Sequence, residues 1–102
     1  MIGIDITAIG RFKRSTESLS KILSADELLE YNKVKNKVNY LAGRWAAKEA
    51  VFKAAGLDNA IILSRSNGSP YVKDREDIVV SISHERAYAV AVAVQKMSLT
   101  DL

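Results

Sequence analysis

Two acids, Asp5 and Glu49, and the sole histidine, His84, are the side chains of this sequence whose settings suggest chemistry. Asp5 lies in an alternating stretch that sends Ile2, Ile4 and Ile6 one way and Gly3, Asp5 and Thr7 the other, and aspartate is depleted inside strands. Glu49 lies in LAGRWAAKEAVFKAAG, residues 41–56. At about 100° per residue, Arg44 and Lys48 make one polar ridge of a helix and Glu49 and Lys53 another. Leu41, Trp45 and Phe52 fill the gap, while Ala46, Ala47, Ala50 and Ala54 take the far side. Two ridges around an aromatic stripe imply contacts on more than one side, because a surface helix normally carries one polar face. Each acid also has a plain reading. Asp5 could be an exposed strand carboxylate, and Glu49 could pair with Lys53 at i, i+4. Brought together, the two carboxylates could hold Mg²⁺, which takes one or two carboxylates and keeps waters and substrate phosphates besides. Arg44, Lys48 and Lys53 could then meet the rest of a polyphosphate. His84 closes IVVSISH behind Ser81 and Ser83; a lone strand-end histidine is usually structural, although imidazole suits proton or phosphate contacts.

Other chemistries are excluded or unsupported. No cysteine is present, which removes disulfides, thiolate metal sites and a cysteine nucleophile. The sequence contains no Walker loop, dinucleotide-binding glycine fingerprint, HExxH or nucleophile elbow. A net charge of +3 leans toward acidic partners. A nucleic-acid-binding module built on Lys33, Lys35, Lys37 and the arginines would rest on that charge alone and would leave Asp5 and Glu49 without a purpose.

The elements that must position these residues can be read from periodicity. At 102 residues the chain is expected to form one small domain spanning 1–102, with a core so thin that a deep pocket would borrow walls from another subunit. A strand is predicted over residues 2–9, a short helix from Arg11 through Leu23, and a second helix over ADELLEYNKV. Ser24 and Glu27 form a capping-box pattern at the start of that second helix. The helix over 41–56 ends at Gly56 as C-cap. Beyond it the signals are β: AIILS, a turn at NGSP, YVK, then IVVSISH and AYAVAVAV separated by a Glu85-Arg86 turn. The last strand puts Ala89, Ala91 and Ala93 on one face and Tyr88, Val90, Val92 and Val94 on the other, so both faces should be covered. Its alanine face is predicted to lie under the alanines of helix 41–56. Helices packed on an antiparallel or mixed sheet make an α+β fold. The start MIGIDITAI lacks a signal-peptide pattern, and YAVAVAV is far short of the roughly 20 residues that span a bilayer, so a cytoplasmic, non-membrane protein is expected.

Three stretches in order, GIDITAIGRF, LAGRWAAKEAVFKAAG and VSISHERAYAVAVAV, with NGSPY at 67–71, resemble the holo-acyl-carrier-protein synthases of the 4′-phosphopantetheinyl transferase superfamily. The resemblance implies transfer of 4′-phosphopantetheine from coenzyme A to a serine of apo-acyl carrier protein. Adenosine 3′,5′-bisphosphate would be released, Mg²⁺ would be the cofactor, and the reaction would support fatty acid biosynthesis. Carried over residue by residue, Asp5 and Glu49 match the metal-binding acids. On chemical grounds Glu49, directly or through a metal-bound water, is the preferred general base, ahead of His84. Lys53 matches the catalytic lysine that meets coenzyme A phosphate, His84 the histidine of the coenzyme A site, and Arg44 the nucleotide side. Arg11 matches an arginine that meets the acidic carrier protein, a patch that Arg14 and Lys21 extend by charge. The resemblance also implies a homotrimer with active sites between subunits, and no nucleic-acid partner.

The chain departs from the family pattern at three places. LDNAI replaces the usual glycine-rich continuation after Gly56, the interval from Tyr71 to SISH lacks room for a helix, and Phe52 stands where a small or polar residue is common. The first two fall where the adenine pocket and intersubunit contacts are expected.

Overall fold

The computed structural model describes residues 1–13 and 19–97. Strand β1 (Ile2–Ala8) leads into a 3-10 turn, Ile9–Phe12, and a second 3-10 turn follows at Leu19–Lys21. Helices α1 (Ala25–Tyr31) and α2 (Lys37–Ala55) precede β2 (Ile62–Ser64), β3 (Pro70–Val72), β4 (Ile78–Glu85) and β5 (Tyr88–Gln95). All pairings are antiparallel, in a three-stranded sheet of order β1-β5-β4 and a β2-β3 ribbon. The fold is α+β, as expected. No helix among the described residues is long and apolar enough to cross a membrane.

The capping box reads true: Ser24 Oγ accepts from the Glu27 N–H, and the Glu27 carboxylate accepts from the Ser24 N–H. The helix nevertheless stops at Tyr31, short of the predicted Val34, and the Lys37 ammonium donates to the Val34 carbonyl at 2.9 Å instead. Helix α2 starts one turn earlier than predicted because Asn36 caps it, its side chain accepting from the Asn39 N–H. The predicted helix from Arg11 to Leu23 is replaced, on its described flanks, by single 3-10 turns whose bonds close over three residues (Lys13 N–H to Gly10 O, Ile22 N–H to Leu19 O); its middle, 14–18, lies outside the described residues. The β4–β5 turn falls one residue later than predicted, at Arg86-Ala87, with Arg86 in the left-handed region at φ 55°.

The seam between α2 and the sheet forms as its small residues dictate. Ala46, Ala47, Ala50 and Ala54 of α2 and Ala89, Ala91 and Ala93 of β5 are all buried. The approach is tightest at Gly3, where an added Cβ would lie 2.0 Å from the Ala50 carbonyl oxygen and 2.8 Å from Ala54 N. Both are backbone atoms that cannot swing aside. Gly3→Ala is therefore expected to push β1 off α2 and to lower stability by about 1–3 kcal/mol or more, read as a loss of urea midpoint.

The expectation that β5 is covered on both faces fails within one chain. The face opposite α2 carries Tyr88 and Val94 of β5, Val79 of β4, and Ile2, Ile4 and Ile6 of β1, and the three isoleucines are 69, 59 and 62% exposed. The isoleucine row points outward and the small row Gly3, Asp5, Thr7 points inward because only small side chains fit under α2.

Candidate active site

Inward orientation of the small row decides the position of Asp5. Met1 N bonds the Ala54 carbonyl, Gly3 sits under Ala50, and β1 thus runs antiparallel to α2. Asp5 is the next residue on that face, about 7 Å further along the strand and so toward the middle of α2. Its side chain is 17% exposed, which disposes of the exposed-carboxylate reading. Side chains on a helix lean toward its N-terminus, and Lys53 does so: its ammonium reaches the Asp5 carboxylate at 3.3 Å and the Ile4 carbonyl at 3.0 Å. Lys53 therefore pairs with Asp5 across two elements, and the i, i+4 pairing with Glu49 does not form.

Glu49 is half-buried and makes no hydrogen bond or ion pair among the described residues, while lining a cavity of about 390 Å³. Trp45, Phe52 and Leu57 provide apolar wall, and Lys21 lies at the same cavity. Phe52 is exposed there, beside Glu49. Its departure from the family pattern thus falls on a site wall.

The other ridge of α2 is structural. Arg44 is 6% exposed. It donates from Nε to the Ile62 carbonyl at 2.9 Å, and from Nη2 to Ser64 Oγ at 2.7 Å and the Glu30 carboxylate at 3.1 Å. Its guanidinium carbon lies 4.3 Å from the centre of the Tyr40 ring. Expected on the nucleotide side, it is turned inward, away from Asp5, Glu49 and Lys53. Burial first, and then the hydrogen bond and charge of Glu30, hold the Tyr40 hydroxyl above the usual phenol range against the opposing Arg44 charge. Lys48 is bound to Glu27 at 2.8 Å and to the Ala60 carbonyl. Sequence reading missed this role of Glu27 and Glu30, treating Glu27 as a cap only. The available signal was two acids three apart on one helix facing two bases four apart on the next.

His84 is exposed, with Nε2 2.9 Å from the Asn39 carbonyl oxygen, and it packs over Gly43, where a Cβ would come within 3.0 Å of the ring. The register puts Thr7, Ala89 and His84 in one row of the sheet and Asp5, Ala91 and Ile82 in the next inward-facing row. His84 is thus two strands and one such step from Asp5, roughly 12 Å between Cα atoms, and the chain does not bring it to the two acids. Arg11 is exposed and donates to Thr7 Oγ1 at 3.0 Å, with its guanidinium carbon 5.5 Å from the Phe12 ring centre and 5.3 Å from that of Trp45. Lys21 is exposed on the second 3-10 turn. Arg14 lies outside the described residues.

Residues 1–93 match the family model for the 4′-phosphopantetheinyl transferase superfamily. The chain belongs to this superfamily. Among its relatives, the holo-[acyl-carrier-protein] synthase of Mycoplasma capricolum subsp. capricolum is 41% identical over 93% of each chain. Among solved structures, the holo-[acyl-carrier-protein] synthase of Neisseria meningitidis superposes with a TM-score of 0.81 at 29% identity, covering 94% of this chain and 97% of that one. The Bacillus anthracis synthase, solved in complex with CoA (3′,5′-ADP), gives a TM-score of 0.79 at 30% identity, covering 95% and 96%. As a superfamily member, the chain presents its two motif acids on facing elements with the motif lysine already at one of them. Among the described residues no group of three or more His, Asp or Glu could hold a metal by itself. A two-carboxylate set, one member without a partner among the described residues, fits a hard cation that takes its remaining oxygens from water and phosphate.

Proposed function

We propose that this chain transfers 4′-phosphopantetheine from coenzyme A to a serine hydroxyl of apo-acyl carrier protein, releasing adenosine 3′,5′-bisphosphate, in support of fatty acid biosynthesis in the cytoplasm. The observation that carries this reading is Glu49: a carboxylate without a partner among the described residues, at a cavity, one helical turn from the lysine that reaches Asp5. Serine oxygen forms the new bond to the β-phosphorus, the pyrophosphate P–O bond breaks, and the bisphosphate leaves with the electron pair. Glu49 has free lone pairs to accept the serine proton, the role of a general base. Lys53, whose side chain is half exposed, can turn from Asp5 toward a phosphate oxygen without losing a buried contact. Asp5 and Glu49 would hold Mg²⁺, which when bound supplies Lewis-acid neutralisation of the pyrophosphate oxygens. Arg11, fixed by Thr7 and stacked near Trp45, and Lys21 at the cavity put positive charge where an acidic carrier protein would dock; Arg14 is assigned to the same patch by charge.

The working assembly is a homotrimer with active sites between subunits. Its support is the outward apolar sheet face, since monomers rarely expose so broad an apolar patch. The distance of His84 from its own chain's acids supports it too, because a neighbour's His84 could complete the coenzyme A site. The inward Arg44 then acts on the nucleotide only through the fold it braces.

The deciding experiment incubates the chain with coenzyme A, Mg²⁺ and apo-acyl carrier protein and reads the carrier's intact mass. Gain of one phosphopantetheine is expected; an unmodified carrier, in a mixture where another synthase modifies it, rules the reading out.

A further inference from the structure

The outward edge of β2 has no strand beside it among the described residues, yet its backbone groups are bonded. β3 occupies the other edge through the odd-numbered residues, as in the bond from Lys73 N–H to the Ile61 carbonyl at 2.9 Å. On the outward edge, Lys48 donates to the Ala60 carbonyl and Arg44 to that of Ile62. Glu27 accepts from the Ile62 N–H and Glu30 from the Ser64 N–H, each at 2.8 Å. The acids also hold the bases, Glu27 with Lys48 and Glu30 with Arg44. Four charged side chains from two helices thus replace a strand, at the two-residue period of a strand edge.

The clamp lies across α2 from a seam of alanines. Small side chains allow close approach but offer few knobs that would resist a roll or slide of the helix. Directional bonds on the opposite side supply that resistance. The two halves of the clamp differ: Glu27 is fully buried while Glu30 is 26% exposed, and Lys48 is the chain neighbour of Glu49 on the same cavity wall. Arg44 does not reach that cavity. We propose that Glu27, by locking Lys48 against Ala60, is a positioning residue that sets the roll of α2 and so the placement of Glu49 relative to Asp5 on the facing strand. This rests on the transfer reading above. Misplacement by about 1 Å of a reacting group can cost about 10²-fold in rate.

Glu27→Gln and Glu30→Gln are compared for melting temperature and for steady-state transfer, with rates normalised to the folded fraction at the assay temperature. Both variants are expected to melt lower. Glu27→Gln should lose about 10- to 100-fold in kcat with the KM for coenzyme A changed less than about threefold, and Glu30→Gln should keep kcat within about threefold. A Glu27→Gln enzyme with near wild-type kcat overturns the proposal. So does a kcat that simply follows melting temperature in both variants, the result of a merely structural role. Should Glu27→Gln fail to fold, Lys48→Met leaves Glu27 its bonds from Ser24 and Ile62, and wild-type kcat in that variant is equally fatal. The exchange Glu27→Lys with Lys48→Glu restores the charge pair but sets an ammonium against the Ile62 N–H, so activity should stay low; recovery would show that charge pairing alone matters and overturn the clamp. A wild-type chain that modifies no carrier overturns the transfer reading and this proposal with it, whereas active wild type beside active Glu27→Gln removes this proposal only.

Discussion

Glu49→Gln is expected to lower kcat for carrier-protein modification by about 10²- to 10⁴-fold, the usual worth of a positioned general base, while leaving the melting temperature near that of the wild type. Both halves follow from the surroundings of Glu49. It makes no hydrogen bond or ion pair among the described residues, so the amide breaks no internal contact. The isosteric change removes the negative charge and the lone pair that would take the serine proton, and weakens any hold on a cation shared with Asp5. Transfer followed by carrier mass, with melting by circular dichroism, separates the outcomes. Wild-type turnover in Glu49→Gln would refute the assigned role, and a large drop in melting temperature would show that Glu49 braces the fold instead.

Ile4→Asp should dissociate the proposed trimer and, with it, abolish most activity. Ile4 faces away from α2, in register with Val92 and flanked by Ile2 and Ile6, at the middle of the exposed apolar face. Its neighbours Gly3 and Asp5 point to the other side, so the fold of the chain should tolerate the change. A carboxylate buried without a partner in an interface costs several kcal/mol, and a closed ring repeats that cost at each copy. The wild-type chain is expected to elute at about three times the monomer mass in sizing with light scattering, and Ile4→Asp, losing a hot-spot-sized association energy of about 2 kcal/mol or more, as a monomer with transfer reduced more than about tenfold. A monomeric wild type with full activity would sink the trimer, and an active Ile4→Asp monomer would show that one chain holds a complete site.

Much of the fold and the site was legible in the sequence because local rules and short motifs agree. Period-two alternation located β1 and β5, the Ser24–Glu27 capping box opened α1, Gly56 closed α2, and the matching small rows of α2 and β5 foretold the seam that buries Ala50 and Ala91. The motifs around Asp5, Glu49 and His84 pointed to the superfamily. Boundaries slipped where caps and side-chain bonds decide them, as at Asn36 and Lys37.

What the sequence determined by itself, then, was the set of elements, the apolar and small faces, and the candidate residues whose types suit phosphoryl chemistry. Periodicity specifies which residues share a face, but it does not say which face of β1 meets α2, nor how far a charged side chain reaches. Tertiary structure alone sent the isoleucines outward and Asp5 inward, moved Lys53 from Glu49 to Asp5, and turned Arg44 and Lys48 into braces for the edge of β2. The physical reason is that an ionic or hydrogen-bonding partner is chosen by distance in space: Asp5 and Lys53 stand 48 residues apart in sequence and 3.3 Å apart in the fold.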